Sequence, residues 1–247
     1  MNAIETTGLT KRFRGRTAVE DLNLTIAQGE FFALLGQNGA GKTTTIRMLT
    51  CLLAPSAGDA FLMGESISRN AEAAKAHSNL SPQETAIAQN LTVRENLMLI
   101  ARLYGANKAD AAGRAEAAMR EFGLSARARD RAKTLSGGMQ RRLSIAMALI
   151  TKPNVLFLDE TTLGLDVRAR RELWKTISAL KGKVTVVLTT HYLEEAEALA
   201  DRIGIMHEGR LQALGTAAAL CAETNTTNFE DAFLALTESE SEKEAAL

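Results

Sequence analysis

Along "VEDLNLTI", Leu22, Leu24 and Ile26 alternate with polar neighbours, with Val19 just ahead of them. Period two over so short a run predicts a half-buried strand. "EFFALLG" is an unbroken apolar run ending at glycine, the pattern of a strand covered on both faces, as in a parallel sheet. "KTTTIRMLTCLL" then predicts a helix that stops before Pro55, since the residue preceding a proline is pushed out of the helical region. Further on, Thr92 and Glu95 have capping-box spacing and open "TVRENLMLIARLYG". "KADAAGRAEAAMREFG" predicts an Ala-rich helix closed by Gly123, and a third helix follows Gly138. Strands return as "NVLFLD" and "KVTVVLTT", and "RIGIMHEGRLQAL" predicts a hairpin turning at Glu208-Gly209.

This order predicts an α/β core spanning residues 1–220, with a helical subdomain inserted at about 83–151. A helical segment is expected at 221–236. The stretch 237–247, "TESESEKEAAL", is acidic and low in complexity and is expected to be disordered. A chain of 247 residues with 46% apolar content is ample for a sizeable core. Its formal charge is zero, so no bulk attraction toward nucleic acid or anionic lipid is expected. The N-terminus lacks a basic-then-apolar leader, and no apolar run approaches the roughly 20 residues a membrane span needs. Cys51 and Cys221 have no metal-type spacing and read as free thiols in a reducing compartment.

The chemistry concentrates in three motifs. "GQNGAGKT" fits G-x-x-x-x-G-K-[ST] with Gly36, Gly41, Lys42 and Thr43 in place, between a strand and a helix. Glycines let backbone N–H groups approach phosphate oxygens, and the helix N-terminus adds partial positive charge. The span Gly36, Gln37, Asn38, Gly39, Ala40, Gly41, Lys42, Thr43 and Thr44 is therefore the candidate nucleotide loop. Lys42 suits the β- and γ-phosphates, and the Thr43 hydroxyl suits Mg²⁺. "VLFLDE" is a buried strand ending in Asp159 and Glu160, which would be very costly to bury without a cation. Asp159 suits the metal shell, and Glu160 suits polarising an attacking water. "LSGGMQ" offers a hydroxyl, Ser136, two flexible residues, Gly137 and Gly138, and then a helix, but no Lys-Thr pair. That suits capping the γ-phosphate of a nucleotide held elsewhere, either on the same chain or on a second copy.

These three motifs in this order resemble the ATP-binding cassette (ABC) transporter nucleotide-binding domain, from about Ile4 to Leu236. The resemblance implies a P-loop NTPase core of the ABC ATPase type, with an N-terminal antiparallel β region and the inserted helical subdomain. It implies ATP and Mg²⁺ as cofactors and head-to-tail pairing with a second copy or a homologous subunit. Each ATP would then lie between one chain's phosphate loop and the partner's signature Leu135, Ser136, Gly137, Gly138 and Met139. By the same resemblance Gln83 is a Mg²⁺ or water ligand, His191 contacts the γ-phosphate beside the catalytic Glu160, and Asp166 crosses the dimer seam. Asp166 serves equally as an ordinary N-cap. Phe13 stands where the family stacks an aromatic ring on adenine, with core packing the alternative. His77 and His207 lack such context and read as surface residues.

Thr161 departs from the family's usual Pro after the catalytic Glu, "HSNLSPQ" lacks the usual Gly-aromatic pair, and Met139 replaces a common Gln. "TTHYLEEAEALADRI" and "FEDAFLALT" resemble the branch serving drug, lipid and polysaccharide exporters. The expected partner is a polytopic membrane permease, with the chain peripheral on the cytoplasmic face and no role for nucleic acid. "NLTVRENLMLIARLYG" lies where the family docks its membrane subunit. The competing class, a soluble ABC ATPase of DNA repair or translation, typically shows paired cassettes, coiled-coil insertions or basic surfaces. A third reading, a non-transport regulatory ATPase or nucleotide-binding module without turnover, is disfavoured by the presence of Lys42, Asp159, Glu160 and His191 together.

Overall fold

The alternating and the unbroken apolar runs end up in two different sheets. The computed structural model describes residues 1–238, so the expected disordered tail lies outside the described residues from position 239 onward. The chain opens with β1 (Asn2–Phe13) and β2 (Arg16–Ala27), then β3 (Phe31–Leu35) and α1 (Lys42–Leu49). A hairpin, β4 (Ala57–Leu62) and β5 (Glu65–Ser66), leads to the short α2 (Ala71–Ala76) and β6 (Ser78–Ser81). Three helices follow, α3 (Val93–Leu103), α4 (Lys108–Glu121) and α5 (Gly137–Leu149). The chain continues with β7 (Val155–Asp159), α6 (Val167–Ser178), β8 (Thr185–Thr190) and α7 (Leu193–Leu199). It closes with β9 (Arg202–His207), β10 (Arg210–Gly215), α8 (Ala217–Thr224) and α9 (Phe229–Thr237).

One sheet is antiparallel, in the order β2-β1-β4-β5; the other runs β10-β9-β3-β8-β7-β6 and is parallel except at the β9–β10 hairpin. Every residue of β3, β7 and β8 is buried, as the unbroken runs predict. Period two then divides them between two cores. Leu156, Leu158, Val186 and Leu188 pack with α3, α4 and α5, while Val155, Phe157 and Val187 pack against α1 and the antiparallel sheet. The helical stretch thus shares its core with one face of the parallel sheet. Burying side chains of this size stabilises by about 1.5–3 kcal/mol each, so both faces contribute heavily.

The capping box at Thr92 is formed, with Glu95 donating its backbone N–H to the Thr92 hydroxyl at 3.2 Å and accepting from the Thr92 N–H at 2.8 Å. Gly123 (φ 65°) closes α4, and Glu208 (φ 47°) and Gly209 (φ 81°) turn the β9–β10 hairpin. Two expectations are corrected. The helix after Lys42 ends at Leu49, well before Pro55, because Cys51 takes a left-handed φ of 56° and Leu52 and Leu53 both donate to the Arg47 carbonyl. The boundary expected at 220/221 falls inside α8, which packs with α9 around Leu220, Phe229 and Phe233 as one unit. The β4–β5 hairpin, α2 and β6 have no counterpart in the pattern-based reading; β6 is a four-residue strand of mostly polar residues.

Parallel strands present their carboxyl ends on one edge. Leu35 pairs with Thr190, Asp159 with Thr189, and Ser81 with Leu158. Four loops leave this common edge: Gly36–Gly41, Glu160–Asp166, the turn at His191, and the segment containing Gln83. In open α/β sheets this is the ligand-binding edge.

Candidate active site

The phosphate loop is shaped by close backbone approach. A Cβ at Gly36 would stand 2.4 Å from the Met206 carbonyl oxygen, and one at Gly41 (φ 105°) would stand 2.5 Å from the Ala18 carbonyl oxygen. Only glycine lets the loop turn this tightly between β2 and β9. Gly41 caps α1 without a side-chain acceptor, so the helix presents its first-turn N–H groups and positive dipole end to the cleft. Lys42 is 4% exposed, and its Nζ donates to the carbonyls of Gly36 (2.7 Å) and Gln37 (3.1 Å). Burial pushes this ammonium below the ordinary lysine range, with Glu160, 3.4 Å away, pulling in the other direction. A cation held by weakly charged carbonyls is poised to exchange them for phosphate oxygens.

Opposite it, Asp159 Oδ1 accepts from the hydroxyls of Thr43 (3.2 Å) and Thr189 (2.5 Å). Glu160 has a left-handed φ of 45°, held by its N–H donating to both the carbonyl and the hydroxyl of Thr189 at 3.1 Å. Strained backbone of this kind persists only where neighbours over-determine it. Its result is that Glu160 Oε1 faces Lys42, while Oε2 lies 3.5 Å from His191 Nδ1. That separation leaves His191 Nδ1 buried without a hydrogen-bond partner.

The resulting cleft is lined by Asn38, Gly39, Gly41, Lys42, Thr43 and Thr44 on one side, and by Gln83, Glu160 and His191 on the other. Gln83 is exposed, and its segment is tied to α5 by Arg141 donating to the Pro82 carbonyl at 3.2 Å and by the Ser81–Ser144 hydroxyl pair at 2.9 Å. Phe13, at the β1–β2 turn, is 49% exposed, so the core-packing alternative is excluded; its ring is outside the cleft lining and carries Lys11 Nζ at 5.4 Å. Two residues escaped the motif reading. Arg16 lines the cleft and donates to the Gly39 carbonyl at 3.0 Å, and Thr189 orients both acids. Thr189 carried a signal, a polar residue at the end of a buried strand; Arg16 carried none.

The donor set suits a hard cation. Thr43 offers a hydroxyl, Asp159 a carboxylate and Gln83 an amide oxygen, and Mg²⁺ is typically held by one or two protein oxygens plus substrate phosphates. Among the described residues no cluster of three or more His, Cys, Asp or Glu side chains forms an all-protein metal site. His77 bonds Asn154 at 2.9 Å, away from the cleft, and His207 is half-buried with an unpartnered Nε2, correcting its reading as a surface residue.

The second glycine motif is elsewhere. None of Leu135, Ser136, Gly137, Gly138 and Met139 lines the phosphate cleft. Ser136 caps α5 by accepting from the Met139 N–H at 3.4 Å, and Ser136 and Gly137 are exposed. A Cβ at Gly138 would press on Ala169 at 3.2 Å, whereas one at Gly137 would meet only ordinary contact with Leu165 at 3.8 Å. The chain's own interior therefore accounts for the glycine at 138 and not for the one at 137. Asp166 is exposed and caps α6, accepting from the Ala169 N–H at 2.9 Å.

A family model described as ABC transporter matches residues 19–163. The chain is 44% identical over 223 residues to the daunorubicin resistance ATP-binding protein DrrA3 of Streptomyces coeruleorubidus, covering 90% of this chain and 71% of that protein. It is 39% identical over 220 residues to the linearmycin resistance ATP-binding protein LnrL of Bacillus subtilis (strain 168), covering 89% and 71%. A solved structure of an ATP binding subunit of an ABC transporter superposes with a TM-score of 0.84 at 29% identity, over 96% of this chain and 100% of that one.

Proposed function

The chain belongs to the ABC transporter family as an ATP-hydrolysing subunit, and from that premise we propose that it powers export by a separate membrane subunit through head-to-tail pairing of two ATP-binding chains. The observation that carries this reading is the exposed signature loop, none of whose residues lines its own phosphate cleft, with a Gly137 that nothing inside the chain requires. A surface suited to capping an anion but absent from the lining of its own phosphate cleft suits the nucleotide of a second copy or of a homologous subunit. The relatives named for daunorubicin and linearmycin resistance support an exported, drug-like cargo. No helix among the described residues is long and apolar enough to cross a membrane. The proposed arrangement assigns the spans to a permease and this chain to its cytoplasmic face.

In this reading ATP binds along the Gly36–Thr44 loop, where Lys42 exchanges the Gly36 and Gln37 carbonyls for β- and γ-phosphate oxygens. Phe13, exposed at the β1–β2 turn, offers its face to the adenine. Thr43, Asp159 and Gln83 would hold Mg²⁺, which would supply charge neutralisation to the phosphates. Glu160, turned toward the cleft by its left-handed backbone, orients and deprotonates the attacking water. His191, which lines the cleft with its Nδ1 turned to Glu160, contacts the γ-phosphate. Ser136, with the N–H groups that open α5, covers the γ-phosphate bound to the partner chain, and Asp166 lies at the seam. Closure then depends on nucleotide, and hydrolysis releases it.

Complementation tests the shared pocket. Lys42→Ala and Ser136→Ala chains are each expected to be inactive, and mixing them should restore turnover, because the heterodimer keeps one intact pocket. No recovery on mixing, with both chains folded and pairing, would overturn the trans assignment. Gentle detergent extraction of the tagged chain should recover a polytopic membrane protein; recovery of ribosomal or DNA-repair components instead would overturn the transport reading.

A further inference from the structure

Glu195, on α7, is fully buried, and its carboxylate joins three segments that lead separately to the reacting groups. Its Oε2 accepts from the Thr162 hydroxyl at 3.1 Å, two residues beyond Glu160. Its Oε1 accepts from the Trp174 indole N–H at 2.8 Å, on the helix that Asp166 caps. Its own backbone lies four residues beyond His191. Arg170 supplies positive charge nearby but does not bridge to it; the guanidinium lies over Tyr192 at 5.1 Å and Trp174 at 5.7 Å. Burial pushes the Glu195 carboxyl above the ordinary range, with the hydroxyls of Thr190 and Thr162, the Trp174 indole and the Arg170 charge opposing it.

A buried carboxylate without a bridging cation is a poor way to stabilise a core, and apolar residues of the same size generally do better. What it does supply is two directional acceptors on one rigid group. We infer that Glu195 is a positioning residue for hydrolysis, tying the loop that carries Glu160 to the turn that carries His191 and to the helix capped by Asp166. This rests on the catalytic role proposed for Glu160. Thr161 stands in the loop with its own hydroxyl buried and unpartnered, so between the Thr189 hydroxyl that holds Glu160 and the cap at Asp166 the Thr162–Glu195 bond is the side-chain tie.

Steady-state ATPase assays on the full chain, with folding checked by circular dichroism, test the inference. Thr162→Val cuts only the loop limb and keeps the shape. It should lower kcat about 10–100-fold, the scale expected when a catalytic group is displaced by about an ångström, with KM for ATP nearly unchanged. Glu195→Ala should do the same, while Glu195→Gln, whose amide can accept from the indole and donate to the hydroxyl, should restore most of kcat. Trp174 is the only tryptophan in the sequence, so its fluorescence reports the network directly. A nonhydrolysable ATP analogue should shift its emission in the wild-type chain and fail to do so in Thr162→Val, although the indole contact is intact. Unchanged kcat in folded Thr162→Val, or an undiminished emission response, would overturn the inference. Glu160→Gln separates the two readings. If it still turns over, the role of Glu160 falls, and the Trp174 response alone decides the role of Glu195.

Discussion

The two glycine-bearing loops of this molecule are built to opposite plans. The Gly36–Gly41 loop is walled by backbone from β2 and β9, backed by a buried lysine, and faced by two acids. The Leu135–Met139 loop has a serine cap and a helix N-terminus but no cation, and its polar tip is exposed. In the proposed reading the first supplies most of a phosphate and metal site, and the second supplies one wall of the partner chain's site. The difference teaches that similar local chemistry, a glycine turn entering a helix, takes its meaning from what the fold places around it.

Several substitutions sharpen that contrast. Glu160→Gln is expected to lower kcat by about 10²–10⁴-fold while nucleotide still binds, as loss of a general base does; retained turnover would remove Glu160 from the chemistry. Lys42→Ala should weaken ATP binding about 10–100-fold, from the loss of charged hydrogen bonds of about 1.5–3 kcal/mol. Ser136→Ala should leave equilibrium ATP binding to a single chain unchanged and lower only the turnover of the paired state. Equal losses of single-chain affinity in both variants would show that the two loops share one pocket.

Stability separates the glycines in the same way. Gly36→Ala forces a Cβ against the Met206 carbonyl and should cost about 1–3 kcal/mol in denaturant melts, whereas Gly137→Ala should leave stability nearly unchanged while reducing turnover. Thr161→Pro should preserve nucleotide binding. Loss of binding would show that the Glu160–Asp166 loop is misassigned. The smallest effect concerns Glu195, whose pKa is raised in the folded state from an ordinary value of 4.5. Its protonated form is favoured on folding, so wild-type stability falls as pH rises from the ordinary carboxyl range through the raised value. Glu195→Gln lacks that loss and should gain on the wild type between acid and neutral pH; the opposite trend would mean the carboxylate is stabilising when ionised.

Much of the sheet was legible in the chain because burial on both faces selects unbroken apolar runs. "FFALL", "VLFL" and "VVL" carry that constraint, and the polar residues of these strands stand at their ends. Caps were legible from short-range spacing: Thr92 and Asp166 each satisfy a helix N–H three residues on. The length of α1 was not, because Cys51 adopts a left-handed turn that no glycine announces. Nor was β6, whose strand character comes from pairing with β7.

The sequence by itself determined the phosphate loop, the paired acids and the serine-capped helix, since each depends on residues adjacent in the chain and on short-range sterics. Only the tertiary structure decided that Arg16 reaches Gly39, that Thr189 orients both acids, and that Glu195 clasps Thr162 and Trp174. Those contacts join residues 21 to 33 positions apart, and their partners are chosen by how the strands and helices pack. No local pattern encodes that choice, because a hydroxyl or a carboxylate looks the same in the chain whatever it will meet across the sheet.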